Sequence, residues 1–149
     1  MAWMKLKQRG CWKNIVLLID VNILLDVLLA REEFLKESSL IWKLCETGRA
    51  VGYISTLTIA NLVYIMRKKL SPEKTQGVIN LLRLLFEFAN LCVADVNLAS
   101  RMECIDFEDV IQSATAQRIH ADFIVTRNVR DFAKSRIPAF TPSELLARI

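Results

Sequence analysis

The chain has 149 residues, a length that suggests one domain with a core of its own. Hydrophobic residues make up 53% and charged residues 24%, which excludes a disordered chain. The formal charge of +4 permits an anionic partner without requiring one, and no run of about 18 uncharged apolar residues is present to span a membrane.

Residues 1–14 read as an N-terminal extension, basic and carrying Trp3 and Trp12. The apolar run that follows is too short for the roughly 7–15 residues of a secretory signal core and ends in Asp20, so the expected location is the cytoplasm. That run, Ile15-Val16-Leu17-Leu18-Ile19, has the β-branched content of a buried strand in a parallel sheet, expected over 15–20. Helices are expected over 22–30 and 33–47, the second stopped by Gly48. Val51 to Ile54 reads as a second strand. Ser55 or Thr56 caps a helix reaching Lys69. Ser71-Pro72 restarts the chain as a helix running to about Phe88. Leu91 to Ala94 is the expected third strand. Asp95 opens a short helix to Cys104, and Asp106 caps another to Ile119. A fourth strand is expected over 122–126, and Ala139-Phe140 as a short fifth. Thr141-Pro142-Ser143-Glu144 is a capping box before a last helix. Strands alternating with helices predict a single α/β domain over 15–149. Its sheet is mostly parallel, with right-handed crossovers and helices on both faces.

Cys11, Cys45, Cys92 and Cys104 are scattered with no CxxC pair, which argues against a zinc site. Cys45 and Cys92 read as reduced core residues. His120 falls at a helix end, where it caps or faces solvent.

Asp20 draws the eye first. A carboxylate cannot join the core strand before it without a cost of several kcal/mol, so it belongs where the strand emerges. In open α/β sheets that end is where ligands bind. Asp20 either caps the next helix or begins a metal site, with Asn22 two residues on. Helical phase adds two residues. Ile59, Leu62, Val63 and Met66 define a core stripe, and Asn61 lies about 200° from Ile59. Phe107, Val110, Ile111 and Ala114 define another, with Asp109 off it in the first turn; Asp109 is a capping-box partner of Asp106 or a ligand. The turn after the fourth strand offers Thr126, Asn128 and Asp131. Asp20, Asp109, Asn128 and Asp131 together form a hard-oxygen set suited to Mg²⁺ or Mn²⁺. Asp20, Asn61, Asp109 and Asp131 are expected to converge.

The segments Ile19-Asp20-Val21-Asn22, Asp106-Phe107-Glu108-Asp109 and Val125-Thr126-Arg127-Asn128 with Asp131-Phe132, in that order, resemble a PIN domain. The branch resembled is that of the ribonuclease toxins of toxin–antitoxin pairs, and the likeness covers about Ile15 to Leu146. It implies a three-layer α/β/α sandwich, a Mg²⁺- or Mn²⁺-dependent endoribonuclease acting on single-stranded RNA, an antitoxin protein as partner, and a homodimer. By the same resemblance Asp20, Asp109 and Asp131 are catalytic metal-holding acids, with Asn128 as a further ligand. Asn22, Asn61 and Thr126 orient them, and Lys68, Arg127 and Arg130 bind the RNA backbone. The chain departs from the family at Asn61, where an acid is usual, and this favours the alternative of a weak or inactive module that binds RNA or protein. A haloacid-dehalogenase-like phosphatase would need a second Asp in place of Asn22. A receiver domain would need an acidic pair after the first strand and a Lys ending a late one. On assembly, Leu57, Tyr64 and Ile65 lie outside the stripe of their helix and read as partner-facing.

Overall fold

Side-chain alternation along the first strand decides the layering. In β1 (Ile15–Ile19), Ile15, Leu17 and Ile19 enter one core, while Val16 and Leu18 enter another on the opposite face. A strand apolar on both faces needs helices on both, and it has them. The structure, a computed structural model, describes residues 14–103 and 106–149. Trp3, Trp12, Cys11, Cys104 and the expected extension up to residue 13 lie outside the described residues.

The first face is covered by α1 (Val21–Leu28), α2 (Glu32–Glu46), α3 (Thr56–Met66), α4 (Pro72–Leu85) and α7 (Pro142–Leu146). Ile23, Leu24, Ile41, Leu62, Met66, Leu82 and Leu145 are its buried contributions. The second face is covered by α6 (Phe107–Arg118) and a 3₁₀ turn at Val129–Phe132, through Ala116 and Phe132. The short α5 (Val93–Ala99) docks on α6 where Ala99 meets Val110 and Ile111. The remaining strands are β2 (Ala50–Ser55), β3 (Glu87–Ala89), β4 (Phe123–Val125) and β5 (Ala139–Phe140). They form one sheet in the order β3-β2-β1-β4-β5, with every pairing parallel. This is the expected three-layer α/β/α sandwich. The chain winds outward from β1 through β2 to β3, then returns to the other side of β1 as β4. The reversal opens a crevice between the carboxyl ends of β1 and β4, the usual ligand position in such sheets.

The caps match the sequence signals. Ser55 caps α3, accepting from the Thr58 N–H at 3.1 Å. Ser71 caps α4 ahead of Pro72, and Thr141 and Glu144 form the capping box of α7. Gly48 follows α2 with φ of +69°, a conformation that costs a residue without Cβ little. His120 is exposed, just past α6, and also left-handed at φ 55°.

The third strand is displaced from its expected place. It spans Glu87–Ala89, not 91–94, and α4 ends at Leu85 rather than near Phe88. No Gly or Pro marks that break. What ends α4 is a distant contact: Phe86 turns extended and packs its ring edge-on to Trp42 at 5.2 Å. Val93 and Ala94 are then helical. Asp95 is not the cap of α5 but its third residue, reaching back to the Cys92 N–H at 2.9 Å and paired with Arg118 at 3.0 Å. Cys92 holds the N-cap position and is half-exposed, so it is not a core residue. Cys45 is, and burial pushes its thiol up to about 12. Two further readings change. Leu57 packs on the α5–α6 cluster and Ile65 on the main core, leaving only Tyr64 of that trio exposed. Phe107 is 48% exposed, because Val110, Ile111 and Ala114 supply the core face of α6 without it.

Gly52 in β2 is a close-approach site. A Cβ there would lie 2.7 Å from both Cys45 Sγ and the Phe86 ring. Since Phe86 is wedged on Trp42, Gly52→Ala is expected to cost about 1–3 kcal/mol by overpacking. Urea unfolding checks this, and an unchanged midpoint would mean that the ring yields freely.

Candidate active site

Where β1 ends, the chain turns directly into α1, and Asp20 occupies the joint as N-cap. Its Oδ1 accepts from the Val21 N–H at 2.8 Å and its Oδ2 from the Thr126 hydroxyl at 2.9 Å. Thr126 follows β4 and is fully buried, and its hydroxyl also accepts from the Asn128 N–H at 3.1 Å. The cap reading of Asp20 is the one observed, and the cap holds the carboxylate at the mouth of the crevice. Burial pushes its pKa up. Thr126, the Val21 N–H and the Arg127 charge pull it back, and Asp131 pushes it up again.

The start of α6 carries further acids within electrostatic reach of Asp20. Asp106 caps the helix, its Oδ1 accepting from the Glu108 N–H at 2.9 Å. Half-buried Asp109 lines a cavity of about 580 Å³, together with Asp106, Arg130 and Asp131. Burial raises the Asp109 pKa to about 7, helped by the charges of Asp106, Asp131, Asp20 and Glu108. Glu108 is raised as well, by burial and by Asp106 and Asp20, against a hydrogen bond from Asn61. Asp20, Asp106, Glu108, Asp109 and Asp131 thus share one field. Asn61, from α3, donates through Nδ2 to Glu108 Oε1 at 2.5 Å.

The other expected residues are distributed around this group. Asn22 accepts from Arg31 at 3.3 Å and lines a neighbouring cavity of about 700 Å³ with Arg127 and the exposed Asn128. Arg127 is engaged with the protein itself. It lies 3.4 Å from the buried Asp26 carboxylate, and its guanidinium sits 4.0 Å over the Phe34 ring. Arg130 is exposed on the cavity wall. Lys68 lies past the end of α3, its ammonium 4.3 Å over the Tyr64 ring. Seven residues separate it from Asn61, about 10 Å at 1.5 Å per residue.

Glu108 and Asp26 escape the sequence reading, and Asp106 enters it only as a cap. The available signal for Asp26 was a lone acid inside Ile23-Leu24-Leu25-Asp26-Val27, which points to a buried charge with partners. Glu108 had no such signal, since an acid in a first helical turn is common.

Among the described residues, no group of three or more His, Cys, Asp or Glu side chains is drawn together as a ready-made metal cage. The donor chemistry fits a hard cation: among the described residues, the groups that influence one another here are carboxylates. Mg²⁺ characteristically keeps several waters and takes only one or two carboxylates plus substrate phosphate.

A family model described as PIN domain matches residues 16–130. No curated protein matches the chain. Solved structures share the fold. FitAcB from Neisseria gonorrhoeae is 18% identical with a TM-score of 0.67, over 85% of this chain and 98% of that one. VapBC-1 from nontypeable Haemophilus influenzae is 15% identical with a TM-score of 0.66, over 87% and 99%. A toxin-antitoxin complex from Klebsiella pneumoniae is 23% identical with a TM-score of 0.64, over 84% and 96%. Among the described residues, no helix is long and apolar enough to cross a membrane.

Proposed function

This chain belongs to the PIN-domain family, and from that premise we propose that it is a weakly active, divalent-cation-dependent endoribonuclease for single-stranded RNA, working in the cytoplasm as the toxin of a toxin–antitoxin pair. One observation carries the reading. The carboxylates of Asp20, Asp109 and Asp131 act on one another at the carboxyl ends of β1 and β4. Mutual repulsion of this kind destabilises a fold and concentrates at functional sites. Mg²⁺ or Mn²⁺ relieves it, held by Asp20, Asp109 and Asp131 with Asn128 beside them. When bound, the ion supplies an activated water and a counter-charge for the phosphate. Thr126 and the Val21 N–H fix the Asp20 carboxylate so that it need not reorganise. Arg130, exposed on the cavity wall, attracts the RNA backbone. Asn22 and Asn128, lining the adjoining cavity, offer hydrogen bonds to unstacked bases.

The antitoxin partner is inferred from the solved neighbours, among which is a toxin-antitoxin complex. Exposed Tyr64 and Leu84, on α3 and α4, are apolar surface that such a partner or a second copy of the chain covers.

A second reading, binding of RNA or protein without cutting, is favoured by Asn61 at a usual acid position and by the absence of a ready cage among the described residues. One assay separates the two. Under the nuclease reading, single-stranded RNA is cut with Mn²⁺, spared with EDTA, and cut on the order of 100-fold more slowly by Asp20→Asn. Under the binding reading, no cation concentration yields cleavage, and neither EDTA nor Asp20→Asn changes RNA retention.

A further inference from the structure

We propose that Asp26 is a positioning residue for the candidate site, acting through Arg127 to fix the turn that carries Thr126, Asn128 and Asp131. The inference rests on the cation-dependent reading above, in which Asp20 and Asp131 work together. Asp26 is fully buried in α1, a charge inside an apolar run. Arg127 reaches it from the end of β4, 3.4 Å away, with its guanidinium over the Phe34 ring of α2. The place of that arginine in the chain gives the contact its consequence. Up to Thr126 the backbone is held by the sheet. The Val125 carbonyl accepts from the Asp20 N–H, and the Phe140 carbonyl from the Thr126 N–H, both at 3.0 Å. β4 itself ends at Val125. Beyond it the bonds are internal to the turn: the Asn128 N–H donates to the Thr126 hydroxyl oxygen at 3.1 Å, and the Asp131 N–H to the Asn128 carbonyl at 3.0 Å. The Arg127 side chain ties this turn to α1 and α2. Thr126, which donates to Asp20 at 2.9 Å, stands just before it, and Asp131 follows in the 3₁₀ turn.

A role in stability alone accounts for less. Asp26 has one charge, and Arg31 already faces it at 3.5 Å, while the Ser38 hydroxyl donates to its second oxygen at 2.9 Å. Neutrality needs no second arginine. Arg127 also keeps its buried Nε without a hydrogen-bond partner among the described residues, a cost that a purely stabilising contact would avoid. Apolar side chains of similar volume often serve stability as well as a buried ion pair or better. What they do not supply is direction. A flat guanidinium held by a carboxylate and a ring at once admits few orientations.

The test is amide hydrogen exchange, read by NMR on the whole chain without divalent ions, joined to RNA cleavage kinetics with Mn²⁺. Asp26 is too buried to touch RNA, so Asp26→Asn acts on the site only through what it holds. It is expected to speed exchange of the Asn128 amide about tenfold and to lower kcat about tenfold at unchanged KM. Ser38→Ala is the comparison. It removes another Asp26 contact, and should lose stability while leaving Asn128 exchange and kcat as they are. Arg127→Lys keeps the charge without the planar fork and should behave like Asp26→Asn. Equal behaviour of Asp26→Asn and Ser38→Ala would overturn the proposal. So would faster Asn128 exchange with unchanged kcat, or a raised KM with unchanged kcat in Arg127→Lys, which would make Arg127 an RNA contact. Failure of the parent reading is distinct: the unaltered chain then cuts no RNA at any Mn²⁺ concentration, and exchange at Asn128 still decides whether Asp26 holds the turn. Circular dichroism confirms that each variant is folded, and Arg127→Lys carries both readouts should Asp26→Asn fail to fold.

Discussion

If the chain is the nuclease proposed above, Asp109→Asn is expected to abolish its cation-dependent RNA cleavage; in the protein freed of divalent ions it is expected to raise the melting temperature at pH 8. Both effects come from one cause. The Asp109 carboxyl is raised to about 7 by burial and by the charges of Asp106, Asp131, Asp20 and Glu108. A raised folded value means that the proton is bound more tightly in the fold than in the unfolded chain. The stability this contributes is complete below the unfolded value of about 3.8 and is lost as pH rises through about 7. At pH 8 the fold therefore carries an ionised carboxylate it would rather not have, and Asn removes it. Asp109 is only half-buried, so solvent screening trims the gain to about 1 kcal/mol, or roughly 3 °C for a chain of this size. At pH 4 the two proteins should melt together. Mn²⁺ should raise the melting temperature of the unaltered chain and leave that of Asp109→Asn nearly unmoved, by mass action on the folded state. Thermal scans at pH 4 and pH 8, with EDTA and with Mn²⁺, read all of this. A lower melting temperature for Asp109→Asn at pH 8 would show that a partner, not repulsion, governs the carboxylate.

The sheet was legible because its central strands are continuous apolar runs with punctuation. Ile15 to Ile19 is buried on both faces and closed by Asp20, and Ile124-Val125 is closed by Thr126. The third strand was not legible, for a physical reason. Glu87–Ala89 is a three-residue edge strand, and what ends the preceding helix is the Phe86 ring finding Trp42 in α2. Local pattern carries no trace of a contact some forty residues away. Within the candidate site, the positions of Asp20 and Asp109 were legible: a strand end, and a first helical turn off the core stripe. The contact of Glu108 was not legible, because its partner, Asn61, lies on another helix. Phase analysis of α3 identified Asn61 as facing away from the core, but only the packing of α6 across it reveals what it faces. Arg127 shows the converse. Its sequence neighbours suggested a phosphate contact, while its side chain points into the fold, toward Asp26 and Phe34.

That inward arginine leads to the largest expected effect on stability. Asp26 is fully buried in α1 among Ile23, Leu24 and Leu25. Its Oδ2 accepts from the Ser38 hydroxyl of α2 at 2.9 Å, and its Oδ1 lies 3.5 Å from Arg31 and 3.4 Å from Arg127. Asp26→Ala removes the negative member of this group and leaves Arg127, with little access to water, uncompensated. Breaking one side of a buried pair costs about 3–5 kcal/mol, so the melting temperature should fall by roughly 10 °C. Asp26→Asn keeps the volume and the Ser38 contact and should cost less. Replacing both partners, Asp26→Leu with Arg127→Met, should recover much of the loss, since two apolar groups need no pairing. A double-mutant cycle in urea on Asp26 and Arg127 measures the coupling directly. A loss under about 1 kcal/mol for Asp26→Ala would mean that water enters and solvates Arg127, leaving it free to turn toward RNA. The RNA readout follows the same logic. With Arg127 held by Asp26, neutralising Arg130 should lower the salt dependence of RNA binding, and changing Arg127 should show itself first as lost stability.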